Sequence, residues 1–275
     1  MKRLIFSAAF LLLASLYIAG CSDSDNTQTP TNPPSTLNLV KIDSSYAVGA
    51  KAIVALYSTG QLMTGYNNIY VALYDSATGS PITDAHVGFM PMMDMGSMMH
   101  SSPYESPEGA LIENKWFKGA VVFIMPSSAM TPWSLEVHVH NHQAAGMPEG
   151  HAEFGSLSVA DNSTKYKSIQ AADGSRLYLS YVMPSKPIVG INEFEFTLHR
   201  RNDMMTFPAD SSYTCDMYPW MPSMGHSSPN NVNPVHDDMG HYKGQVNFTM
   251  TGDWQIKVYL NKNGQRDSTY FDLVF

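Results

Sequence analysis

Disulfide chemistry is almost absent from this chain: its 275 residues include two cysteines, Cys21 and Cys215. Charge is scarce as well, at 15% of residues, against roughly 25% in an ordinary soluble domain. That excludes a charge-laced coiled coil. Sixteen Lys and Arg face 24 Asp and Glu, a net charge of −8, which offers no electrostatic footprint for a phosphate backbone, so no nucleic acid partner is expected. Also missing are H-E-x-x-H, a Gly-rich phosphate loop and G-x-S-x-G. Cys215, beside Asp216, lacks the cationic surroundings that activate a thiol nucleophile. The chain is therefore not expected to be an enzyme. No segment keeps a helical period beyond a turn or two, whereas Ser, Thr, Asn, Gly and Tyr abound. This is an all-β composition, and its odd component is methionine, with 19 residues.

A long apolar run, Leu4 to Ile18, follows Lys2 and Arg3 and is too short to span a membrane well. It reads as a signal peptide over residues 1–20. The run ends in Ile18-Ala19-Gly20-Cys21, which resembles the lipobox of bacterial lipoproteins; the resemblance implies cleavage before Cys21 and a lipid on its sulfur. Removing Lys2 and Arg3 leaves 14 basic against 24 acidic residues, a net charge of −10. Membrane attachment then rests on the lipid anchor alone, at the cell envelope, facing periplasm or exterior. Residues 21–36 comprise this cysteine and a tether with three prolines and no large apolar side chain. With Cys21 lipidated, Cys215 has no partner for an intrachain disulfide.

Self-comparison at an offset of 125 exposes a tandem repeat. Gly65 to Leu73 lies over Gly190 to Leu198, and Phe117 to Met125 over Tyr242 to Met250. Trp133 to Val137 matches Trp254 to Val258, and His100-Ser101-Ser102-Pro103 recurs as His226-Ser227-Ser228-Pro229. Ile69, Val71 and Leu73 alternate as Phe194, Phe196 and Leu198 do, the period of a half-buried strand. Each copy carries about seven short alternating segments. Two tandem immunoglobulin-like antiparallel β-sandwiches are expected, over residues 37–160 and 161–275. Trp133 and Trp254 are expected core anchors, and Met125 and Met250 extend inward-facing alternations into the core.

The other methionines follow no period. Met90, Met92, Met93, Met95, Met98 and Met99 crowd into one segment before His100, and the second copy has Met217, Met221, Met224 and Met239 with His226, His236 and His241. Both segments read as surface loops. Thioether sulfur is a soft, neutral ligand suited to Cu(I), and imidazole serves Cu(I) or Cu(II), so copper is the expected ion. Candidate ligands are Met93, Met95, Met98, Met99 and His100 in the first copy, and Met221, Met224, His226, His236, Met239 and His241 in the second. The alternative is a metal-free hydrophobic contact made by adaptable Met loops. A separate feature lies in the strand Trp133 to Asn141, where Leu135, Val137 and Val139 face inward. Glu136, His138 and His140 then share the outer face, continued by His142, a candidate Cu(II) surface.

The Gly79 to Val87 segment, the Met-Pro stretch, the Lys-Gly strand, Val-x-Phe-x-Met and the Trp strand together resemble YtkA-like and FixH-like domains, related in style to copper-binding sandwiches of the CopC type. The sharpest element is Met221-Pro222-Ser223-Met224-Gly225-His226, which matches the family's Met-Pro-x-Met-Gly-His pattern. That implies Met221, Met224 and His226 as ligands; the first copy departs from it, with Ser97, Met98 and Met99 between Gly96 and His100. The resemblance implies copper handling: buffering, or delivery to a cuproprotein or copper-efflux partner. The competing expectation is a non-metal interaction or structural surface lipoprotein.

Overall fold

The computed structural model describes residues 37–108 and 111–275; the expected signal peptide, Cys21 and the expected tether lie outside the described residues. Leu37–Phe275 forms one compact unit. Its first half contains β1 (Val40–Ala47), β2 (Ala52–Ser58), β3 (Gly65–Asp75), β4 (Pro81–Ile82), β5 (Ala85–Asp94), β6 (Met99–His100), β7 (Tyr104–Glu105), β8 (Phe117–Phe123), β9 (Trp133–Asn141) and β10 (Glu149–Leu157). The second contains β11 (Tyr166–Gln170), β12 (Arg176–Met183), β13 (Gly190–Arg200), β14 (Thr214–Met221), β15 (His226–Ser227), β16 (Val232–His236), β17 (His241–Phe248), β18 (Asp253–Lys262) and β19 (Gln265–Val274).

The repeat is reproduced as topology. One sheet runs β1-β2-β3-β8-β7 with β4 beside β3, and its counterpart runs β11-β12-β13-β17-β16. The facing sheets run β10-β9-β5-β6 and β19-β18-β14-β15. All ladders between these strands are antiparallel, giving two β-sandwiches. Among the described residues there are ten and nine strands where about seven per copy were expected, because the expectation did not resolve the two-residue edge strands.

Alternation builds each core. In β9, Trp133, Leu135, Val137 and Val139 are fully buried and meet Val54, Leu56, Val71 and Phe123 of the opposing sheet. In β18, Trp254, Ile256, Val258 and Leu260 meet Phe194, Phe196, Phe248 and Phe271. Cys215 joins this second core; burial, with Asp216 adding, pushes its thiol up to about 12, so it stays a protonated apolar group.

Two methionine expectations change. Met90, Met92 and Met93 lie on β5 and Met217 and Met221 on β14, not in loops. Pro91 and Pro219 fit these strands because β6 and β15 pair only with Met93 and Asp94, and with Trp220 and Met221. At the prolines that edge is open, where a missing N–H costs no ladder bond. Conversely, β8 and β17 end at Phe123 and Phe248, so period two stops short of Met125 and Met250. Met125 is half-buried against the core and Met250 is exposed.

Candidate metal centre

One arrangement occurs at the same end of both sandwiches. In the first half, Met93 pairs across β5–β6 with His100 and across β5–β9 with Trp133. Directly opposed residues in an antiparallel ladder project on the same side, with Cβ atoms about 4.5–5.5 Å apart. Met93, His100 and Trp133 therefore form a row, and all three are buried. The His100 ring stands edge-on to Trp133, centroids 5.1 Å apart. In the second half Met221 pairs with His226, and the His226 ring stands edge-on to Trp254 at 5.8 Å.

The same hydrogen bonds secure both copies. His100 Nδ1 lies 2.9 Å from the Ser101 carbonyl and His226 Nδ1 lies 3.0 Å from the Ser227 carbonyl. A carbonyl only accepts, so Nδ1 carries the proton in each ring. Nε2 of the neutral imidazole is left with its lone pair, the state a metal ligand needs. The indole N–H of Trp133 donates to the Met125 carbonyl at 2.9 Å, and that of Trp254 donates to the Met250 carbonyl at 3.0 Å. Met125 and Met250 thus mark the end of each sandwich by their backbone.

The halves differ in the loop before the histidine. Residues 94–98 separate Met93 from β6; Met95 and Met98 are exposed on this stretch, as is Met99 at the start of β6. In the second half the shorter Pro222 to Gly225 turn places Met224 outward, 62% exposed, above the buried Met221. Its backbone closes by the Gly225 N–H donating to the Met221 carbonyl at 2.9 Å, with Gly225 at φ +66°, a conformation that favours glycine. His100 is only 3% exposed, and its Nε2 is buried without a hydrogen-bond partner. Such an orphan costs about 1–3 kcal/mol and calls for a functional reason.

The remaining second-copy candidates do not join His226. His241 opens β17, whose far end at Phe248 approaches Met250 and Trp254; seven residue steps put roughly 23 Å between them. Both His241 ring nitrogens are engaged, Nδ1 with Glu195 at 2.6 Å and Nε2 with Glu105 of the first half at 2.8 Å. Burial alone would lower its pKa, but the hydrogen bonds to Glu105 and Glu195 outweigh it and hold it at about 9. His241 is an imidazolium latch between the halves, with no lone pair for a metal. Nearby, His236 Nε2 accepts the Gly240 N–H at 3.3 Å and Met239 is exposed.

The outer face of β9 is richer than one strand reveals. His140 pairs with His86 on β5 and Glu149 on β10, and His138 pairs with His151. The His138 and His151 rings lie 5.0 Å apart and those of His140 and His142 4.7 Å apart. His142 Nδ1 lies 2.9 Å from Asp84 and His151 Nδ1 lies 3.1 Å from Glu136. The sequence reading missed His86 and His151 because strand pairing, not spacing, brings them to this face. Among the described residues no three His, Cys, Asp or Glu side chains converge to hold an ion, so the Met–His rows differ in kind: their second donor is sulfur.

Residues 179–259, from β12 to β18, match the model of the YtkA-like family. That span contains the row of Met221, His226 and Trp254. Among solved structures, a conserved domain protein from Bacillus anthracis aligns over 84% of this chain and 90% of its own, at 10% identity and a TM-score of 0.30. An I-band fragment of titin aligns over 78% of this chain and 62% of its own, at 8% identity and a TM-score of 0.19. No curated protein sequence matches the chain.

Proposed function

We propose that this protein binds copper, chiefly Cu(I), at the Met–His rows ending its two sandwiches, and buffers the ion or delivers it to a cuproprotein or efflux partner. The observation that carries this reading is the repeated histidine: in both halves a backbone carbonyl accepts the Nδ1 proton of a histidine paired across the strands with a methionine, leaving Nε2 free. Imidazole and thioether are neutral and soft, which favours Cu(I) over Ca²⁺ or Mg²⁺. In the second half Met221 and His226 would hold the ion, while exposed Met224 would meet it first. Release would exchange these neutral ligands one at a time for a partner's, without a change of oxidation state. The likeness of residues 179–259 to the YtkA-like family supports a copper-related role. Attachment to a bacterial envelope membrane through Cys21 belongs to the same proposal, as does kinship with FixH-like domains.

Anaerobic Cu(I) titration against a competing chelator tests the reading. The full chain should compete, and Met221→Leu/Met224→Leu/His226→Ala should lose one binding event. Equal binding by this variant and its parent would refute the second-half site. The exposed Met95, Met98, Met99 and Met224 also suit a metal-free apolar contact. Leucine at those four positions should preserve such a contact but not a thioether site.

A further inference from the structure

His100 and His226 occupy equivalent positions, yet His100 is buried and His226 is partly exposed. The second half supplies the difference. Its segment 201–208, between β13 and β14, lies against the first half where the Ser101 N–H donates to the Met204 carbonyl at 2.9 Å. Asp203 shapes that segment: its carboxylate accepts from the Met205 and Thr206 N–H groups at 2.7 and 2.8 Å, and from the Thr206 hydroxyl at 2.8 Å. The Asn202 N–H donates to the Thr206 carbonyl at 3.0 Å, and the Arg200 N–H to the Pro208 carbonyl at 2.9 Å. Met204 is thus carried on a hydrogen-bonded turn.

A cleft of about 530 Å³ lies between the halves at this point. Met95, Met98, His100 and Met125 line it from the first half, and Met204 and Phe207 from the second. His100, whose Nε2 is buried without a hydrogen-bond partner, lines this cleft, and no carboxylate does. Its charged members, Arg176 and Arg201, are exposed; each repels a divalent ion twice as strongly as a monovalent one. Beside the neutral oxygens of Ser168, Gln170 and Tyr178, its donors are imidazole and thioethers, a set that favours a soft monovalent cation over a hard divalent one.

We infer that the first site is shared between the halves: a Cu(I) ion, or Ag(I) as its redox-inert analogue, is held by His100 and first-half thioethers, with Met204 of the second half as a further ligand. This deepens the copper reading and rests on it. It makes the two sites unequal, one enclosed at the junction and one open beside Met224. An ion at the first site would tie the halves together, so its capture and release are coupled to how firmly they dock.

The test uses the full chain carrying Met221→Leu, Met224→Leu and His226→Ala, so that only the first site remains. Ag(I) and Cu(I) affinities and the number of sulfur scatterers in X-ray absorption are compared with and without Met204→Leu, a near-isosteric change at an exposed position. Met205→Leu, which lines a different cleft, is the control. Met204→Leu should weaken binding at least tenfold and remove one sulfur, while Met205→Leu changes neither. Undiminished affinity and an unchanged sulfur count in a folded Met204→Leu protein would overturn the shared site and leave the copper reading standing. Absence of metal binding in the parent would overturn both for this half.

Discussion

Met221 lies directly across the β14–β15 ladder from His226, as Met93 lies across β5–β6 from His100. In each pair the methionine is buried under the sheet end and the histidine packs edge-on against a core tryptophan. A side chain in that position serves packing and binding together, and substitutions separate the two.

Met221→Leu should retain the fold, because volume-conserving apolar exchanges usually cost less than about 1.5 kcal/mol. It removes sulfur from beside His226, so Cu(I) affinity at the second site should fall at least tenfold. Thermal melts alongside chelator competition check both halves of the statement. Equal affinity would assign Met221 to packing alone.

Trp254→Phe should cost more than lost area implies. The indole N–H that donates to the Met250 carbonyl disappears, and the lost hydrogen bond adds about 1 kcal/mol. Trp254→Ala should cost about 3–5 kcal/mol, the range for removing a large core aromatic. Urea denaturation of both variants measures the difference.

The His241 latch carries a pH dependence. Its folded pKa, about 9, lies above the ordinary imidazole value near 6.5. Its stabilising contribution is therefore complete below about pH 6.5 and is lost as pH rises through about 9. The melting temperature should fall over that interval in the parent and fall less in His241→Phe. Identical pH profiles would show that the latch adds nothing to stability.

The Met–His rows should bind Cu(I) independently of the imidazole face of β9. His138→Ala/His140→Ala/His142→Ala should leave Cu(I) affinity unchanged, since His138 pairs with His151, His140 pairs with His86 and Glu149, and none of the three belongs to either row. Equilibrium dialysis with Cu(I) decides the outcome; a fall in affinity would reassign the soft site.

Cys215 should resist alkylation in the folded protein. Its pKa of about 12 leaves almost no thiolate at neutral pH, and the core shields the sulfur. Iodoacetamide should label it only under denaturing conditions, as mass spectrometry would register.

Alternation and self-similarity carried much of the architecture. Period two in Trp133 to Asn141 predicts a strand that the structure reproduces residue for residue as β9, and the tandem register reappears as two matching sheet orders. These signals are local or repeated, so spacing alone records them. Met90 to Met93 misled because methionine density and Pro91 resemble a loop; the open edge that accommodates the proline depends on how short β6 is. Met125 and Met250 misled in the opposite direction, since alternation does not mark where a strand ends.

The sequence by itself determined the all-β class, the duplication, the tryptophan anchors and the histidines preceding Ser-Ser-Pro in both copies, because each is written in periodicity or repetition along the chain. Only the tertiary structure decided which methionine meets each histidine, that His241 bridges Glu105 and Glu195 instead of joining His226, that His86 and His151 complete the imidazole face, and that Met204 lines the cleft beside His100. Those relations arise from strand register and from docking of the two halves, which bring together residues up to 136 positions apart, as Glu105 and His241 are, and no short-range pattern encodes them.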